Sequence, residues 1–342
     1  MKPAGTWGKG GLEKSGREYA ISGSLAWMEE RKPLQAVWML LLATVFWGMS
    51  FPLMKGLVLL QQQLLPGASV WFITSQTLTV RFGLAAIVLA LVLAPRMRGL
   101  TALDMKLGVG LGFFAGTGTL LQMAALSETL ASTSAFLTQF YVLLLPLWMA
   151  AWHRRRPSLL LCACCVLVIV GMGVLCGLRP TDLRLGRGEW LTLLAAVLFA
   201  ADILWLDHRE FASADKLRAT VVMFATMAAI LFPVAVGSAP GGGDWWQIYR
   251  SPALWSMLLV LIAVCTLLAF TLMNLWQPHV PATRAGLIYC AEPVFASLYA
   301  LFMPAVLARL GKFTYANETA TWNLLIGGMI ITLANALVQY DQ

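Results

Sequence analysis

From residue 35 onward the chain alternates long apolar runs with short polar connections. A helix needs roughly 20 mostly apolar residues to cross a bilayer. Ten runs meet or approach that length, at about 35–60, 69–94, 104–127, 131–152, 158–178, 188–206, 216–236, 252–276, 283–308 and 321–340. The run at 131–152, "ASTSAFLTQFYVLLLPLWMAAW", is the weakest, because polar residues crowd its first half. The pattern therefore predicts an all-α polytopic membrane protein with ten transmembrane helices. Residues 1–34 are polar and mixed in charge and read as a disordered cytoplasmic tail. The first apolar run is too long for the core of a cleavable signal peptide.

Composition strengthens this reading. Of 342 residues, 59% are hydrophobic and 12% charged, with a mean hydropathy of +0.76. A water-soluble domain of this size has no interior large enough for so much apolar sequence. The net charge of +8 does not point to nucleic acid, since the basic residues fall in short clusters between apolar runs. The six cysteines lie inside apolar runs without CxxC spacing and read as small packing residues, and no metal or cofactor is expected.

Lys and Arg in the connections set the orientation. With the N-terminus inside, 16 of the 24 basic residues fall on the inner side and 6 on the outer, leaving Lys55 and Arg81 within runs. Both termini are thus expected in the cytoplasm, at a bacterial-type inner (plasma) membrane. Arg179, Arg184 and Arg187, in an outer connection, run against the rule.

A shift of about 150 residues brings the two halves into partial register. "STSAFLTQFYV" (132–142) lies over "ATRAGLIYCAE" (282–292), and "LATVFWGMSFPLMK" (42–55) over "LLAAVLFAADILWLD" (193–207), with Trp47 opposite Phe199 and Ser50 opposite Asp202. Residues 35–178 and 188–340 then form two five-helix repeats. Five is odd, so the second copy enters the membrane from the opposite side, an arrangement typical of secondary transporters. Segments "TSAFLTQFYVLLLPLWMAAWHRRRP", "PATRAGLIYCAEPVFASLYALF", "FWGMSFPLMK" and "VRFGLAAIVLALVLAPRMR" resemble the fourth, ninth, first and second helices of EamA-type members of the drug/metabolite transporter superfamily. That resemblance implies ten helices in two repeats that export or exchange small metabolites through a central cavity. The connection "MPAVLARLGKFTYANETATW" is longer than the family's short turn.

Ionisable groups inside a span cost at least ~2.5–3.5 kcal/mol at the centre and therefore face a cavity or a partner. Glu292 lies about 9 residues into its run by the helical rise, followed by Pro293, whose freed carbonyl is tolerated only where protein or water satisfies it. Acid and helix break together indicate a wet central cavity. Asp202 is also mid-span; pairing with an internal cation or another helix is the plainer alternative for both acids. Either could titrate, making protons a candidate coupling ion. Arg81 is too deep to snorkel and would neutralise an acid or attract an anionic substrate group, whereas Lys55 is near enough to the outer interface to snorkel.

The aromatics Trp47, Phe51, Phe140, Tyr141 and Tyr289 suit organic solutes or amines, although Trp and Tyr also anchor and pack helices. Gly108, Gly112 and Gly116 form a stripe for close helix contact. "GLGFFA" mimics a dinucleotide fingerprint, but no strand precedes it and no acid follows at the right distance. His153, His208 and His279 are scattered, and no hydrolase or metalloprotease pattern is present, so a membrane enzyme or scaffold is the weaker reading and a lipid-linked flippase an intermediate one. The expected substrate site is Trp47, Ser50, Phe51, Arg81, Gln139, Tyr141, Asp202, Tyr289 and Glu292, between the first, fourth, sixth and ninth runs.

Overall fold

The computed structural model describes residues 10–152, 158–175, 185–241 and 244–338, with side chains from Leu34 onward except at 149, 152, 161, 244, 283, 335 and 338. Residues 1–9 of the tail, His153, the arginines at 154–156, Cys176, Arg179, Arg184 and the end of the tenth run lie outside the described residues. The described residues contain helices and no strand. All ten apolar runs fall on helical segments, but seven helical stretches are long and apolar enough to cross a membrane: Leu34–Leu64, Val70–Val92, Ala102–Ala125, Ala131–Trp148, Arg187–Leu206, Lys216–Gly237 and Pro252–His279. The ninth run is bent by 54° between Arg284–Ala300 and Met303–Gly311, and the fifth and tenth hold shorter apolar helices, Cys162–Leu175 and Trp322–Ala334.

In chain order the helices are α1 (Gly10–Leu64), α2 (Val70–Val92), α3 (Ala102–Ala125), α4 (Ala131–Thr138), α5 (Tyr141–Trp152), α6 (Leu159–Leu175), α7 (Arg187–Leu206) and α8 (Lys216–Gly237). The remainder are α9 (Pro252–Ile262), α10 (Ala269–Trp276), α11 (Ala282–Tyr289), α12 (Glu292–Ala300), α13 (Met303–Gly311) and α14 (Trp322–Val338). Their ends follow local chemistry. Ser69 caps α2 by accepting from the Phe72 amide, Thr101 and Asp104 close a capping box on α3, and Asp215 caps α8 through the Leu217 and Arg218 amides.

Two runs read from sequence as continuous are broken. The fourth divides at Gln139–Phe140 into α4 and α5, and the ninth at Cys290–Ala291 into α11 and α12. The break expected at Pro293 falls two residues before it, so the proline stands in the first turn of α12, where its missing N–H leaves no bond unmade. Pro146, by contrast, lies inside α5. α4 and α11 each have eight residues, and their first residues, Ala131 and Ala282, are 151 positions apart. That interval is one residue longer than the shift of about 150 read from the pattern of small residues, and it sets Tyr141 against Glu292 and Thr138 against Tyr289.

Helix α8 packs against both α2 and α3, α3 also against α7, α14 against α6, and α1 against α12. The glycine stripe accounts for the α3–α8 contact. A Cβ on Gly108 would sit 2.5 Å from the Ala219 carbonyl oxygen and from Val222 Cβ, and one on Gly112 2.6 Å from Thr226 Cβ. Bare backbone at these positions is what lets the two helices meet. Gly48 does the same on α1, where a Cβ would fall 2.7 Å from Phe295 Cβ on α12. One buried core runs through most of the bundle, and a smaller cluster around Phe136, Leu143 and Val168 joins α6 and α14 to it.

Candidate functional site

The helix breaks and the close α1–α12 contact surround a narrow cavity of about 70 Å³. Its walls are Trp47, Ser50 and Met54 from α1; Arg81 from α2; Thr119 and Gln122 from α3; Thr138 and Tyr141 at the α4–α5 break; Phe199, Asp202 and Ile203 from α7; Phe270 and Met273 from α10; and Tyr289 and Glu292 at the α11–α12 break.

Seven of the nine residues expected at the site line this cavity: Trp47, Ser50, Arg81, Tyr141, Asp202, Tyr289 and Glu292. Phe51 does not. One position on from Ser50 the helix has turned by about 100°, and Phe51 packs in the core, 1% exposed. Gln139 stands behind the wall, its Nε2 donating to Glu292 Oε2 at 3.4 Å. Thr119, Gln122, Phe270 and Met273 were missed, although a Thr and a Gln three positions apart in an apolar run place two polar groups on one helix face.

The three charged wall residues are almost fully buried: Arg81 is 2% exposed, Asp202 4% and Glu292 8%. Arg81 Nε donates to Thr266 Oγ1 at 2.6 Å, and its other nitrogens reach the Cys265 carbonyl and Met54 Sδ, each at 3.4 Å. Its guanidinium also lies 4.9 Å from the Phe82 ring centroid. These partners are all neutral, so the expectation that Arg81 neutralises an acid is not met by any described side chain at ion-pair distance. The presenting segment is a π-helical turn, Ala263–Leu268, in which Thr266 Oγ1 donates to the Leu261 carbonyl at 2.9 Å. Such turns re-aim side chains and carbonyls that a regular helix would hide.

Aromatic rings form the cavity's apolar side. Trp47 meets Phe270 and Tyr289 edge-on, with centroids 5.4 and 5.5 Å apart. Tyr289 donates through its hydroxyl to Gln277 Oε1 at 2.9 Å, and Gln277 Nε2 donates to the Ile203 carbonyl at 3.3 Å, tying α11 to α7. Eight buried polar side-chain atoms lack a hydrogen-bond partner among the described residues, and three of them are at or beside the cavity: Trp47 Nε1, Asp202 Oδ1 and Gln139 Oε1. Trp47 and Asp202 line the cavity itself. Buried polar groups are nearly always hydrogen-bonded, so an unpaired indole donor and an unpaired carboxylate oxygen in one cavity wall make that wall polar as well as aromatic.

The wall residues also pair at a fixed interval. Thr119 and Phe270, Gln122 and Met273, Thr138 and Tyr289, and Tyr141 and Glu292 are each 151 positions apart, while Trp47 and Phe199, and Ser50 and Asp202, are each 152 apart.

No family model matches this chain. An "Uncharacterized transporter" of Archaeoglobus fulgidus is 27% identical over 299 residues, which cover 86% of this chain and 84% of that protein. That relative and the seven apolar helices agree. The chain is a multi-pass helical membrane protein. A solved structure, "Crystal structure of protein", superposes with a TM-score of 0.53 over 86% of this chain and 96% of that chain; at 18% identity the likeness speaks for the fold alone.

A second hollow, about 590 Å³, is an apolar groove between α12 and α14 lined by Phe136, Val294, Leu298 and Met329 among others. It shares no lining residue with the cavity.

Proposed function

We propose that the chain is a secondary transporter, an EamA-type member of the drug/metabolite transporter superfamily, that exports or exchanges small organic metabolites by alternating access. In this reading the helices form ten spans in two inverted five-helix repeats, with both termini cytoplasmic at a bacterial-type inner membrane. The observation that carries it is the pairing of twelve of the fifteen wall residues at 151–152 positions. A site assembled from matched positions of two copies is the arrangement expected at a repeat boundary. Because each copy has an odd number of spans, the second is upside down, and rocking one against the other exposes the same walls to each side in turn. The similarity to the archaeal transporter supports transport in preference to catalysis.

The chemistry of the walls supports a solute with charged and apolar parts. Asp202 and Glu292 would take an ammonium group, Arg81 an acidic one, and the Trp47–Phe270–Tyr289 rings an organic body or an amine. Amino acids and related metabolites fit that set, and the two acids are the sites at which protons would couple. The apolar groove shares no lining residue with the cavity, which favours a solute entering along the cavity over a lipid-linked carrier entering from the side.

Two measurements test this reading. Proteoliposomes loaded with a panel of labelled amino acids should show saturable, protein-dependent flux; no flux for any member would remove the substrate class. Single cysteines at Pro66 and Ser213, both in exposed connections, should label from opposite faces of intact cells. Labelling from one face would remove the inverted repeat.

A further inference from the structure

The long connection between α12 and α14 is an ordered element with its own anchors. Its helix α13 is capped by Asn317, whose Oδ1 accepts from the Ala305 amide at 2.8 Å. Lys312 ends it in the left-handed conformation, with φ of 53°. Phe313 and Tyr315 are buried and stacked at 6.2 Å. The element lies across the end of α1: Leu307 Cδ1 would be 3.1 Å from a Cβ at Gly56, and Gln63 Nε2 donates to the Lys312 carbonyl at 3.2 Å. From there the chain reaches the other half of the molecule. Glu318 Oε1 accepts from the Ala131 amide at 2.8 Å, and Oε2 accepts from the Ser132 amide at 3.4 Å and from the Ser132 hydroxyl. A carboxylate here suits the positive end of α4 and satisfies its first amides.

Lys55 works on the same segment. Its Nζ donates to the Thr129 carbonyl at 2.6 Å and is close enough to Glu318 for the charges to attract. On the opposite face, Asp207 is separated from Lys55 by the same 152 positions that relate Trp47 to Phe199, and its carboxylate meets the amide of Ala282, the first residue of α11. Lys55, nine residues before the end of α1, thus holds the chain just ahead of α4, and Asp207, the residue after α7, stands at the start of α11. The Lys55 face alone carries the additional strap.

Building on the transport reading of the cavity, we infer that the segment 303–321 is a gate strap and that Glu318 is its latch on α4. With Glu318 seated, α4 is held against α1 and the cavity is shut on the Lys55 face; that mouth opens when the carboxylate leaves the α4 amides. Glu318 and Lys55 touch no cavity wall, so they act by positioning α4 and its Thr138.

The test uses the full-length chain in liposomes, with the six native cysteines replaced by alanine and Thr119→Cys as a reporter in the cavity wall. A membrane-impermeant thiol reagent is applied from each face in turn. Loss of charge-assisted bonds contributing about 1.5–3 kcal/mol shifts a gate equilibrium roughly 10-fold or more. Glu318→Ala should therefore speed labelling from the Lys55 face by about that factor and leave the other face unchanged. Glu318→Gln, which keeps the shape and folds in the same place, should give a smaller increase on the same face only. Labelling unchanged in both variants, or accelerated equally from both faces, overturns the strap. The readout needs no transported solute: a responsive reporter without any flux would sink the transport reading, and flux with an unresponsive reporter would sink the strap alone.

Discussion

Replacing Asp202 by Asn separates a functional acid from a structural one. Asp202 is 4% exposed on α7, faces the cavity, and has one carboxylate oxygen without a partner among the described residues. A charged acid at mid-span costs about 2.5–3.5 kcal/mol on insertion scales. Asn keeps the shape and removes the charge, so the variant should recover part of that cost, about 1–2 kcal/mol. At roughly 2–4 °C per kcal/mol for larger chains, the melting temperature in detergent should rise by about 2–8 °C.

Transport should move the other way. A charge-assisted bond to a substrate ammonium contributes about 1.5–3 kcal/mol, so flux efficiency for amine-bearing solutes should fall about 10- to 150-fold. Solutes without an amine should change far less. The assay is initial-rate flux in proteoliposomes, paired with thermal unfolding of the same preparation. A variant that melts several degrees lower, or one that carries amines at the wild-type rate, would refute a ligand-facing role for Asp202.

Gly112→Leu should lower the melting temperature by the equivalent of about 1–3 kcal/mol or more, because its side chain would collide with Thr226 and the Met223 carbonyl. Gly173→Ala, with nothing within 4 Å of the new Cβ, should gain about 0.5–1 kcal/mol instead. At Asp215, burial pushes the carboxyl up, but hydrogen bonds from Arg96 and the Arg218 amide and the charge of Arg96 outweigh it, leaving it below its ordinary value. A depressed folded value means that its stabilisation is present above the ordinary carboxylate range, about 3.9, and is lost as pH falls through the folded value. Asp215→Asn keeps the helix cap and loses the ion pairs to Arg96 at 2.7 Å and Arg218 at 3.1 Å. With Arg96 half-exposed, the cost near neutral pH should be about 0.5–1 kcal/mol, reduced by salt and lost as pH falls through the folded value.

What the sequence revealed and what it hid follow from the strength of each signal. Apolar runs are decided by the solvent, so every one of them lies on helical segments and α7 and α8 match within a residue. Helix breaks are decided by a few local bonds. Pro293 marked a break beside Glu292, and it falls at Cys290–Ala291, but nothing in "LTQFYV" outweighs the surrounding apolar pattern, so Gln139–Phe140 went unseen. The π-turn at Ala263–Leu268 has no cue in its run "AVCTLL", and its role emerges only from the reach of Arg81 to Thr266. Buried charges were the easiest site residues to find, since Arg81, Asp202 and Glu292 are costly anywhere else in a span. The one-residue error between the halves arose because small residues repeat often enough to align in more than one register. With the interval corrected, Thr119 and Gln122 would have pointed directly to Phe270 and Met273.

The central claim is that solute passes through the cavity between the two halves, and blocking that cavity tests it most directly. In the background without native cysteines, Thr138→Cys places a thiol in the wall and Ser213→Cys one in an exposed connection. After reaction with a bulky methanethiosulfonate, flux through the Thr138 variant should stop, return on reduction, and be protected by substrate, while the Ser213 variant carries on unaffected. Undiminished flux through protein whose cavity thiol is fully modified would contradict the account.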